Sequence, residues 1–102
     1  MVSINWTCQA QNDLKNIAEF ISRDSVRYAK LQVVKIRLRT NILKKHSFSG
    51  RVVPEVNKQN IRELIEGNYR IIYKIVSKTQ IDILTIHHSA RDMAKRRIYN
   101  IG

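Results

Sequence analysis

The sequence predicts an α+β fold, in the order β-α-α-β-β-β followed by a short C-terminal helix, with a helical hairpin packed on one face of a small antiparallel sheet. Three observations carry that prediction. Apolar residues recur at helical spacing through the first half of the chain. They alternate at strand spacing between residues 61 and 88, and a stretch rich in Gly, Pro, Ser and Asn separates the two regimes. A chain of 102 residues is long enough for one two-layer core, so a single domain over 1–102 is expected.

The first strand is VSINW (2–6), whose alternation puts Val2, Ile4 and Trp6 on one face. Ala10, Leu14, Ile17 and Ile21 then fall at spacings of four, three and four, the apolar stripe of a first helix. SRDS (22–25) interrupts it, and Asp24 or Ser25 is placed to cap a second helix over about 25–45. Val26, Ala29, Val33, Ile36 and Leu43 form that helix's stripe, and Leu31, Val34, Leu38 and Ile42 widen it. HSFSGRVVPEVNKQN (46–60) reads as a loop. Beyond it, IRELI (61–65), YRIIYKIV (69–76) and QIDILTIHH (80–88) form a meander, with turns at Glu66-Gly67-Asn68 and Ser77-Lys78-Thr79. The tail SARDMAKRRIYNIG reads as a short basic helix.

Composition narrows the function classes. The single cysteine, Cys8, excludes a disulfide framework, and the N-terminus lacks the basic and apolar regions of a signal peptide. No apolar run reaches the length of a membrane span, so a cytoplasmic protein is expected. No His, Cys, Asp or Glu cluster has metal-ligand spacing, and neither a metal nor a cofactor is expected. Nineteen Lys and Arg against eight Asp and Glu give a net charge of +11. Eight of the basic residues lie between Ser25 and Pro54, where no acid occurs, and Arg91, Lys95, Arg96 and Arg97 form a second cluster beside Asp92. Such a balance points to a polyanion or an acidic protein as partner.

One strand raises the functional question. In GNYRIIYKI (67–75), Tyr69, Ile71, Tyr73 and Ile75 share a core-like face, whereas Arg70, Ile72, Lys74 and Val76 share the other. If the helices cover the first face, Arg70 lies on the uncovered one, beside Arg62 or Lys74, where its planar fork could hold phosphate or carboxylate. The plainer reading is a surface arginine pairing across strands with Glu63. Arg91, just past the last strand, is the second candidate cation. His87 and His88 point to opposite faces, so only one of them can join a given site as an acid or base. The wider pool for that role is Tyr69, Tyr73, Tyr99 and Glu63, of which Tyr69 and Tyr73 read as core.

Trp6, DLKNIAEFI (13–21), Asp24-Ser25 with Ala29, GRVVPE (50–55), REL (62–64), GNYRIIYKI (67–75) and ILTIHHSAR (83–91) follow one another along the chain. In carrying them in this order, the sequence resembles the RelE/ParE superfamily of bacterial toxins from type II toxin–antitoxin, or plasmid-stabilisation, modules. The resemblance implies a toxin neutralised by an acidic antitoxin whose partly disordered arm folds on binding. It implies no cofactor.

Two branches of that superfamily make different demands. A ParE-like toxin inhibits DNA gyrase and carries no catalytic residues. Its target or antitoxin would be met by Arg62, Arg70, Lys74, Arg91, Lys95, Arg96 and Arg97. A RelE-like toxin is a ribosome-dependent endoribonuclease that cleaves mRNA, and here Arg70, Arg91 and either His87 or His88 would supply the chemistry. The chain departs from that second pattern: Ile61 and Glu63 stand where lysines are found, and Arg97 stands where a late tyrosine is found, with Tyr99 two positions on. The N-terminal half, with Asp24-Ser25 and GRVVPE, looks more like the ParE-like branch. A basic nucleic-acid-binding module without toxicity is a third reading.

Overall fold

The structure is a computed structural model that describes residues 1–89. The expected C-terminal helix and the candidates Arg91, Lys95, Arg96, Arg97 and Tyr99 lie outside the described residues. The elements are β1 (Ser3–Trp6), α1 (Cys8–Ser22), α2 (Val26–Thr40), a 3₁₀ turn (Asn41–Lys44), β2 (Arg51–Val52), β3 (Ile61–Glu66), β4 (Tyr69–Ile75) and β5 (Gln80–His88). The expected order is recovered, with β2 added inside the loop.

The sheet runs β1-β5-β4-β3-β2. Strands β2 to β5 pair antiparallel as a meander should, but β1 pairs parallel to β5, so the sheet is mixed rather than antiparallel. The long helical crossover makes this possible, since parallel neighbours need a connection of a dozen residues or more. The β3–β4 hairpin closes through Gly67-Asn68, with Gly67 at the left-handed φ of 58° that glycine adopts without steric cost.

Both helices start where a side chain can accept from their free amides. Thr7 Oγ1 accepts from the Ala10 amide at 3.1 Å, and Ser25 Oγ accepts from the Tyr28 amide at 3.1 Å. Ala10, Leu14 and Ile17 of α1 and Ile36 of α2 meet Leu64, Tyr69, Ile71, Tyr73, Ile81, Ile83 and Ile86 in one core, with Val2, Ile4 and Trp6 packed against its margin. The widening of the α2 stripe does not hold. Leu31, Val34, Leu38 and Ile42 stay exposed, as does Val26, because a two-layer fold offers one helix only a single buried face.

One irregularity redirects the last strand. Between Ile72 and Tyr73 the register with β5 shifts: Ile72 faces Thr85, whereas Tyr73 faces Ile83, leaving Leu84 as an extra residue. An inserted residue inverts the facing of everything beyond it. Ile81 and Ile83 therefore face the helices along with Ile86, and His87 is carried to the opposite face.

The second sheet face is not open at this end of the sheet. Val53, Ile61 and Ile72 form a smaller buried cluster, packed by Val56 and Leu84, where residues 51–60 cross the strands. The loop is anchored by backbone bonds from Val53 N to Ile61 O (3.1 Å) and from Asn57 N to Val53 O (2.8 Å).

Candidate functional site

Strand geometry explains why Arg70 has company. Glu63 is paired with Ile72 and Ile65 with Arg70, so Glu63 and Arg70 are diagonal neighbours on one face. Strand β2 puts Arg51 directly opposite Glu63. The loop that follows returns Glu55 over the same spot. Arg70 Nε donates to Glu63 Oε1 at 2.7 Å, and its two terminal nitrogens donate to the two Glu55 oxygens at 2.9 and 3.0 Å. The other Glu63 oxygen accepts from Arg51 Nε at 2.5 Å.

The result is a neutral chain of four charges, Arg51–Glu63–Arg70–Glu55. The Glu63 side chain is wholly buried and the Arg70 side chain is nine-tenths buried. Ionised groups removed from water need such partners, because isolated burial costs several kcal/mol per ion. Hydrogen bonds from Arg70 hold the Glu55 carboxyl at about 2, against the opposing effect of partial burial. Reciprocally, Glu55 and Glu63 push the Arg70 guanidinium above its ordinary value.

This corrects the expectation of an exposed Arg70. The arginine does lie on the face away from the helices, and its pairing with Glu63 is there, but it is buried under the loop. The fork that could have gripped a phosphate grips Glu55 instead.

Nor are the other candidate cations among the described residues, Arg62 and Lys74, gathered beside it. Arg62 is paired with Tyr73, so it lies on the face opposite Arg70. It donates to the carbonyls of Gly50 (2.8 Å) and Gln59 (2.9 Å) and stacks over the Phe48 ring at 4.8 Å. Lys74 shares the Arg70 face but stands across from Asp82, with the buried Ile72 between the two cations.

His87 is opposite Arg70 and buried, and its Nε2 lies 3.4 Å from the Thr85 hydroxyl. His88 is on the helix face, edge-on to Tyr69 with ring centroids 5.3 Å apart. The histidines do point to opposite faces. Tyr69 and Tyr73 are both core, and burial pushes the Tyr73 hydroxyl upward.

Two acids escaped the sequence reading. Glu55 carries no signal beyond its place in GRVVPE, since no local rule pairs a loop glutamate with a strand arginine 15 residues on. Asp13 left a signal: it sits on the apolar stripe of α1 beside Ala10, Leu14 and Ile17. Its Oδ2 accepts from the Ile86 amide at 3.0 Å and from the Thr85 hydroxyl, while Oδ1 accepts from Gln9 at 2.8 Å. β1 stops pairing with β5 at Ile83. Asp13 supplies an acceptor where the neighbouring strand has ended.

Helix α2 presents a further surface. Val26, Tyr28, Leu31, Val34 and Leu38 are exposed among Arg27, Lys30, Lys35 and Arg37. Among the described residues, no group of three His, Cys, Asp or Glu side chains could hold a metal ion, and no helix is long and apolar enough to cross a membrane.

Comparison with known proteins places this architecture. The sequence profile described as the ParE toxin of the type II toxin–antitoxin system parDE matches residues 4–93. No curated protein sequence matches the chain. Among solved structures, it is similar to a chain of the chromosomal ParDE toxin–antitoxin system from P. aeruginosa, with a TM-score of 0.71 at 24% identity over 86% of this chain and 96% of that one. It is also similar to a chain of a RelBE toxin–antitoxin complex from Mycobacterium tuberculosis (TM-score 0.56, 19% identity, covering 85% and 96%). A chain of the E. coli DinJ–YafQ complex shares the fold as well (TM-score 0.52, 16% identity, 88% and 96%). With a profile match that runs from within β1 through the end of β5, the chain belongs to the ParE toxin family of type II toxin–antitoxin systems.

Proposed function

We propose that this protein is the toxin of a type II toxin–antitoxin module and arrests growth by inhibiting DNA gyrase, in the cytoplasm, until an acidic antitoxin neutralises it. The observation that carries the choice of target is the internal neutralisation of Arg70. A ribonuclease site built on this face would need that guanidinium to meet the charge developing on a phosphate. Here its donors are taken by Glu63 and Glu55, one of them bidentate. Inhibition by binding to a protein asks nothing of Arg70 beyond holding the fold.

The antitoxin reading draws on α2. An exposed apolar ridge flanked by Arg27, Lys30 and Lys35, on a chain of net charge +11, is complementary to an amphipathic segment with acidic flanks. Arg62 and Lys74 are partly buried and carry less of that role.

The deciding experiment expresses the chain without antitoxin and scores DNA synthesis and translation separately over the first minutes. Earlier loss of DNA synthesis, with filamentation and an induced damage response, is the expected result. Earlier loss of translation, with new cuts inside codons, would move the protein to the RelE-like class. Salt-dependent nucleic-acid binding with no arrest would leave the third reading.

A further inference from the structure

The loop after the 3₁₀ turn and the β4–β5 turn enclose an open depression of about 880 Å³, lined by Lys45, His46, Phe48, Ile75, Lys78 and the hydroxyl residues Ser47, Ser49 and Ser77. No carboxylate is among these. Neither bounding stretch has one nearby in sequence: acids are absent from 25–54 and from 67–81.

The loop that carries His46 and Phe48 is braced. His46 N donates to Ile42 O at 2.9 Å, Ser49 N donates to His46 O at 3.1 Å, and the buried Tyr73 hydroxyl donates to Ser47 O at 2.8 Å. Phe48 is nonetheless 62% exposed. Its ring is backed by the Arg62 guanidinium at 4.8 Å. An aromatic side chain held out on a fixed loop, beside cations from two separate loops, has the composition of a base-stacking platform.

We propose that this depression binds single-stranded nucleic acid, with one base stacked against Phe48 over the apolar floor of Ile75 and the flanking phosphates held by Lys45 and Lys78. The serine hydroxyls on both sides can donate to or accept from base edges. The volume suits one or two nucleotides rather than a helix laid lengthwise, which needs a longer apolar groove. A duplex keeps its bases stacked inside and cannot present one to Phe48. This inference does not depend on which target the toxin poisons.

The test is fluorescence anisotropy of the full chain with a labelled oligothymidylate of about ten nucleotides, against a duplex of equal length, across a salt series. The single strand should bind more tightly than the duplex. Phe48→Ala should weaken it by about fivefold or more, with the salt slope unchanged. Lys78→Ala should lower the slope by about 0.7. Lys15→Ala, on the exposed side of α1, should change neither. Equal affinity for the two forms, or wild-type binding by Phe48→Ala, would overturn the proposal and leave only the general attraction of a basic protein. Should Phe48→Ala melt at room temperature, Lys78→Glu on the exposed turn decides the matter, and wild-type affinity in that variant overturns it equally.

Discussion

The hydroxyl of Tyr73 accepts a hydrogen bond from the Gly50 amide at 3.0 Å, at the point where the loop leading to β2 touches the sheet. The same hydroxyl donates to Ser47 O at 2.8 Å, so one buried side chain pins both ends of the segment that presents Phe48. Contact is close enough to dictate the residue. A Cβ on Gly50 would fall 2.5 Å from the Glu63 carbonyl oxygen and 2.7 Å from the Tyr73 hydroxyl. Gly50→Ala should therefore destabilise the protein by about 1–3 kcal/mol or more, because the nearest obstacle is backbone. Tyr73→Phe should cost about 1–3 kcal/mol through two backbone groups left without their partner. Denaturant midpoints at constant m-value measure both.

Arg70→Ala removes one partner of a wholly buried carboxylate and should cost about 3–5 kcal/mol. Lys74→Ala, on the same face but only partly buried, should stay within about 0.5 kcal/mol. The contrast, read from urea unfolding, separates a structural arginine from a surface one. In the growth-arrest assay, an Arg70 variant should lose toxicity only in proportion to its folded fraction.

Glu55 makes a pH prediction. Its carboxyl is held at about 2 when folded, against 4.5 when unexceptional, so the folded state favours the ionised form. Stability from this pair is then fully present above about 4.5 and is lost as the pH falls toward about 2. Acid unfolding should accordingly be steeper between those values in the wild type than in Glu55→Gln. Parallel acid titrations followed by circular dichroism show whether the curves differ there.

Asp13→Ala should cost about 1–3 kcal/mol or more, since the Ile86 amide and the Thr85 hydroxyl lose their common acceptor. Hydrogen exchange should rise first at Ile86, before the centre of β4 opens.

Leu38→Asp and Val34→Glu place charge on the exposed α2 ridge. Both should leave the melting temperature nearly unchanged, within about 0.5 kcal/mol of stability, and should weaken capture by the antitoxin by tenfold or more. Titration calorimetry with the purified antitoxin measures the second effect. Unchanged affinity in both variants would move the antitoxin to another surface.

The sequence by itself determined the element order, the helical hairpin, the meander, the core faces of α1 and β4, and the pairing of Arg70 with Glu63 as one of two readings. These are legible because each is written in a local period, either 3.6 or 2, or in the short distance between adjacent strands. Only the tertiary structure decided where β1 lands, which way His87 faces, and that Arg70 is buried. The parallel β1–β5 pairing joins residues 77 positions apart and leaves no periodic trace. The extra residue Leu84 reverses the facing of Thr85 to His88, although the alternation before and after it looks unbroken. Glu55 reaches Arg70 because the loop folds back over the sheet. The charge of that arginine is therefore spent on a contact between distant segments, which no local pattern encodes.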